Sequence, residues 1–121
     1  MIQFSFVNAV VVAIGGGVGT LLRYLALCFF EELHCQQPLA LLIINTVGCC
    51  AMGYLVGLMC PVTRWIQFIS IGVLGGFTTF SSYAGATHEL YYMNANMWAI
   101  SYALLSPAVG LLGFILGRGL A

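Results

Sequence analysis

Asn45, Arg23 and the segment Gly72 to Tyr83, GVLGGFTTFSSY, are the parts of this sequence whose side chains and spacing can do chemistry. A carboxamide such as Asn45 donates hydrogen bonds to an anion or caps a neighbouring helix, and the guanidinium of Arg23 attracts anions. Gly75 and Gly76 are followed by Phe77, Thr78 and Thr79, so two glycines and two β-branched residues interrupt what would otherwise be a helix. A break there frees backbone carbonyls, which bind a bare alkali cation. Beyond it Phe80 and Tyr83 stand three apart on one helical face, while Thr78, Ser81 and Ser82 take neighbouring directions and Thr79 adds a hydroxyl. Aromatic ring edges are electropositive and solvate a small anion, whereas ring faces attract cations. Each group also has a structural reading: two packed rings in a core, an interhelical hydrogen bond for Asn45, and a snorkelling side chain for Arg23.

The elements that carry these residues belong in a membrane. Only 5% of the 121 residues are charged while 62% are hydrophobic, too few charges for a water-facing surface. Arg23, Arg64 and Arg118 balance Glu31, Glu32 and Glu89, there is no lysine, and a net charge of zero offers nucleic acid no attractive field. The length suits a single all-α domain over 1–121. Uncharged stretches of about 20 residues, the number needed to cross hydrocarbon, predict four transmembrane helices at about 7–29, 39–59, 66–87 and 97–117. Short polar connections separate them: Glu31 to Pro38, Cys60 to Trp65, and His88 to Asn96. The first span lacks a basic leader region and a small-residue cleavage site, so it is expected to stay in the mature protein.

Orientation is voted on by very few charges, with Arg64 and Arg118 on one side against Arg23 on the other, which fits a chain able to insert both ways up or one with a weak preference for one orientation. Cys28, Cys35, Cys49, Cys50 and Cys60 show no metal-ligand spacing and read as small apolar fillers; Cys28, His34 and Cys35 lack the spacing and the carboxylates of a metal site. Each span holds one glycine pair four apart: Gly15 and Gly19, Gly53 and Gly57, Gly72 and Gly76, Gly113 and Gly117. Such pairs let helices touch closely. Four helices rarely enclose a solvated path alone, and no internal duplication is visible. An antiparallel homodimer of a dual-topology chain would supply the missing two-fold symmetry.

On these residues the chain resembles the small Fluc (CrcB) fluoride channels over essentially its whole length. Gly15-Gly16-x-x-Gly19-x-x-x-Arg23-Tyr24 is similar to the family's first-helix signature, Asn45-x-x-Gly48 to its second, and Gly75 to Tyr83 to its broken third helix. The resemblance implies an antiparallel dimer in the lipid bilayer of the inner cell membrane, with two pathways that let fluoride leave the cell passively, and no enzymatic activity. It places the ring-edge roles on Phe80 and Tyr83 and the amide role on Asn45. Thr79, Ser81 and Ser82 complete the pathway, and Arg23 stands at its vestibule. A structural sodium ion, Na+, is implied on the backbone carbonyls of Gly75 and Thr78. The chain departs from the pattern in having Tyr83 for phenylalanine, Ser82 for threonine and Ala86 for a common carboxylate; Ser101, Tyr102 and Ser106 are the obvious hydroxyls of its fourth span. The added phenol of Tyr83 can donate to fluoride or occlude its route, and a different second subunit is an alternative to the homodimer. Rival readings are a small multidrug proton antiporter, which needs a carboxylate within the membrane, and a noncatalytic membrane subunit.

Overall fold

The computed structural model describes residues 4–59 and 61–121, and Cys60 lies outside the described residues. All regular structure among them is helical. In chain order it comprises α1 (Phe6–Glu32), α2 (Gln37–Gly57), α3 (Arg64–Gln67), a wide π-helical stretch (Phe68–Leu74), α4 (Gly75–Phe77), α5 (Phe80–Tyr92) and α6 (Asn96–Gly119). Helices α1, α2 and α6 are long and apolar enough to cross a membrane. Helices α1 and α6 bracket their expected spans and overrun them by one to three residues, while α2 begins two residues before its expected span and stops at Gly57, two residues short of its expected end. Within the stretch expected as the third span, α4 ends at Phe77, Thr78 and Thr79 are extended, with φ/ψ of −84°/154° and −153°/121°, and helix resumes at Phe80.

The overrun of α1 has a local cause. Its end is closed by a paired-bond cap in which the Cys35 N–H donates to the Phe30 carbonyl and the His34 N–H to the Glu31 carbonyl, with His34 at φ 54°. Helix α5 ends in the same way: Ala95 N–H bonds to Leu90, Asn94 N–H to Tyr91, and Asn94 adopts φ 59°. Neither end uses glycine at the left-handed position; a histidine and an asparagine stand there instead. Pro38 in the first turn of α2 and the Thr63 hydroxyl, which accepts the Ile66 N–H at 3.3 Å, start the next two helices.

The glycine pairs mate in two seams. Cβ atoms placed on Gly15 and Gly19 would strike the carbonyls of Phe68 and Val73, and one on Gly76 would strike the carbonyl of Gly16, so α1 lies directly on 68–77. Likewise Gly53 faces Phe114, Gly117 faces Cys50, and Gly57 approaches the Arg118 carbonyl, joining α2 to α6. Helices this close exclude any side chain from the contact and gain dispersion from backbone against backbone. Between the seams, Leu41 of α2, Ala86 of α5 and Tyr102 of α6 form the small buried core, with Tyr83 packed against it. Most outward positions are large apolar side chains, including Leu21, Leu25, Leu104 and Leu116, which suit contact with acyl chains.

Candidate functional site

The extended pair Thr78–Thr79 is the centre of the site, and three helices hold it. An extended break leaves peptide groups without helical partners, and in hydrocarbon each such group costs several kcal/mol unless it is satisfied. Asn45, two turns into α2, satisfies one residue from both sides: its side-chain oxygen accepts the Thr79 N–H at 2.9 Å and its nitrogen donates to the Thr79 carbonyl at 3.3 Å. The Thr79 hydroxyl accepts the Ser82 N–H at 3.2 Å and so caps α5, and it lies 3.0 Å from the Ser81 hydroxyl and 3.3 Å from that of Ser82. Thr78 bonds back to the Leu74 carbonyl through both its N–H at 3.0 Å and its hydroxyl at 2.9 Å, and its methyl group fills the space left by the absent side chain of Gly48. Arg23, half-buried on α1, donates from Nη1 to the Thr78 carbonyl at 3.4 Å.

The carbonyls of Gly75 and Thr78 are among those that the break sets free of the helix. The N–H that would bond the Gly75 carbonyl in a continued helix belongs to Thr79 and is turned to Asn45. The N–H that would bond the Thr78 carbonyl belongs to Ser82 and is turned to the Thr79 hydroxyl. These are carbonyls of the kind an alkali cation can use. The described residues contain no group of three or more His, Cys, Asp or Glu able to hold a metal ion, and Cys28, Cys35, Cys49 and Cys50 are free thiols.

On the other side of the break the aromatic rings form a row. Phe80 and Tyr83 have centroids 5.3 Å apart at 44°, and Tyr83 and Tyr102 follow at 5.5 Å and 38°, so the row leads from the start of α5 to α6. The Tyr83 hydroxyl donates to the Ala103 carbonyl of α6 at 2.7 Å. Phe80 is 79% exposed, which leaves its ring free at the outer face of the molecule. A groove of about 380 Å³ runs along this row and is lined by Asn45, Thr78, Thr79, Phe80, Tyr83 and Ser106, with Cys49, Pro107, Gly110, Leu111 and Phe114 completing its walls. Ser81, Ser82 and Arg23 adjoin it through the bonds at the break.

The structure therefore brings Asn45, Thr78, Thr79, Phe80 and Tyr83 into one groove, with Ser81 and Ser82 beside them. Gly75 lies one turn back along the same segment, and Arg23 reaches the break instead of snorkelling away from it. Sequence reasoning missed Cys49, Pro107 and Gly110. The four-residue spacing of Ser106 and Gly110, and a proline inside an apolar span, were the available signals. Ser101 does not line the groove, and the Tyr102 hydroxyl is buried without a hydrogen-bond partner.

Residues 10–118 match the family described as CrcB-like protein, Camphor Resistance (CrcB). A fluoride-specific ion channel FluC of Ruminiclostridium cellulolyticum is 36% identical over 122 aligned residues, covering 97% of this chain and 94% of that protein. One of Paracoccus denitrificans is 37% identical, covering 90% and 93%, and FluC 2 of Nocardia farcinica is 34% identical, covering 91% and 81%. With a match that spans nearly every helix and relatives of like length, this chain belongs to the CrcB family.

Proposed function

We propose that this chain is a fluoride-selective channel that lets fluoride leave the cell down its electrochemical gradient, working as an antiparallel dual-topology dimer in the inner cell membrane. The observation that carries the reading is the break at Thr78–Thr79, clamped by Asn45 in a groove that Phe80, Tyr83 and Ser106 also line. In the bilayer, 64–92 then serves as one crossing interrupted midway, the fourth beside α1, α2 and α6. Fluoride is small and strongly hydrated, so a path must replace part of its water at each point without holding it too tightly to release. Asn45 spends one amide hydrogen on the Thr79 carbonyl and keeps the other for an anion. The hydroxyls of Ser81, Ser82 and Thr79 and the ring edges of Phe80 and Tyr83 continue that partial coordination along the groove. Arg23, beside the break, raises the local anion concentration.

The freed Gly75 and Thr78 carbonyls fit a structural sodium ion shared with the partner chain. A carbonyl has two lone pairs, so Thr78 can serve a cation while accepting from Arg23. Sodium would supply fixed positive charge and tie the two breaks together.

Glu31, Glu32 and Glu89 are all exposed in the last turns of α1 and α5, which leaves a proton-coupled drug antiporter without its intramembrane acid. The test is purified chain in liposomes loaded with fluoride or chloride. Fluoride release on opening a gradient, with chloride retained, is expected; vesicles that hold fluoride as firmly as protein-free lipid contradict the proposal. Proton-driven drug uptake in the same vesicles would support the antiporter.

A further inference from the structure

Pro107 lies inside α6, and proline has no N–H. In a regular helix the N–H of residue 107 would bond to the carbonyl of residue 103, so this proline deprives the Ala103 carbonyl of its helical donor. That carbonyl is the one to which the Tyr83 hydroxyl donates at 2.7 Å. In a membrane no water is at hand to satisfy an orphaned carbonyl, and neighbouring side chains take over the bond. Tyr83 and Pro107 line the same groove, and the Tyr83 ring sits between those of Phe80 and Tyr102, tilted to both.

We infer that Tyr83 is a positioning residue whose phenol is committed to the carbonyl that Pro107 orphans, so that it presents a ring edge, not a hydroxyl donor, to the ion in the groove. This rests on the fluoride pathway proposed above. A phenol has one hydrogen, and while that hydrogen lies on Ala103 it cannot lie on fluoride. The bond also ties α5 to α6 and fixes the ring's tilt. Tyrosine at 83 and proline at 107 are therefore one device: the proline creates the vacancy, and the tyrosine both fills it and removes a tight-binding donor from the path.

Four full-length proteins test it: wild type, Tyr83→Phe, Pro107→Ala, and the double variant, each assayed for fluoride efflux from liposomes and for thermal unfolding in detergent. With Pro107 present, Tyr83→Phe is expected to lower both the melting temperature and the flux, because the Ala103 carbonyl loses the Tyr83 donor and the ring loses its anchor. With Pro107→Ala, the restored helical N–H takes that carbonyl, and the loss caused by Tyr83→Phe shrinks to roughly a third or less in both readouts, the non-additivity of a coupled pair. Equal losses in the two backgrounds, or no loss in either, overturn the inference. So does a flux loss that Pro107→Ala leaves unrescued, since that is what a phenol donating to fluoride would give. Should Tyr83→Phe fail to fold alone, a folded double variant supports the pairing and an unfolded one overturns it. The melting-temperature cycle stands without any flux, so an inactive wild type would refute the fluoride reading while leaving the pairing decided.

Discussion

The glycine seams and the Thr78–Thr79 break hold helices together by opposite means. Along the seams, α1 on 68–77 and α2 on α6, backbones meet because side chains are missing: Gly19 lies on the Val73 carbonyl and Gly117 on that of Cys50. At the break the backbone is extended, and side chains from other helices, Asn45 and Arg23, reach in to satisfy it. Shape alone stabilises the first region, and directed hydrogen bonds stabilise the second. The seams are therefore a rigid frame that tolerates no added atom, and the break is the place where polar groups survive in an apolar molecule and can be lent to an ion.

The largest expected effect breaks the frame. Gly117→Ala drives a methyl group into the Cys50 carbonyl, and overpacking of this kind costs about 1–3 kcal/mol or more. Gly17→Ala, where nothing lies within 4 Å, is expected to be neutral or slightly stabilising by helix propensity. Thermal unfolding of both variants in detergent measures the contrast, and equal melting temperatures would deny the seams their role. Tyr83→Ala removes a ring and its bond to α6 while leaving the seams intact; fluoride flux should fall about tenfold or more, equivalent to roughly 1.4 kcal/mol in the barrier. An unchanged rate of efflux would take Tyr83 out of the pathway. Replacing sodium by a large organic cation should slow flux severalfold, because the Gly75 and Thr78 carbonyls then lose the ion proposed for them; efflux indifferent to sodium contradicts that part of the reading. The smallest effect is on the cap of α5. Thr79→Val deletes the hydroxyl that accepts the Ser82 N–H and should cost about 1 kcal/mol, read as a lower melting temperature.

Much of the frame was legible from residue types because its cause is local. Hydropathy located α1, α2 and α6, and the glycine spacing marked the seams, although nothing in a single sequence says that Gly19 meets Val73 and not another helix. The ends were misjudged by a few residues, since His34 and Asn94 adopt left-handed backbone where glycine is the usual signal, and the π-helical turns at Phe68–Leu74 have no compositional mark. At the break, Gly75-Gly76 and Thr78-Thr79 announced poor helix, and the three-residue step from Phe80 to Tyr83 announced neighbouring rings. Which groups would satisfy the break was hidden, because its partners are distant in the chain: Asn45 is 34 residues from Thr79 and Arg23 is 55 from Thr78. The bond from Tyr83 to Ala103 was hidden for the same reason, since a backbone carbonyl carries no residue-type signal.

Asn45 offers the most direct test of whether the clamped break is the ion's passage. Fluoride efflux followed with an electrode, from liposomes carrying wild type or Asn45→Ala at matched protein content and matched helical circular dichroism, is the decisive measurement. Wild-type vesicles should empty on opening the gradient while Asn45→Ala vesicles stay close to the lipid baseline. Equal emptying by the two proteins would show that fluoride crosses by a route in which neither this amide nor the break it holds takes part.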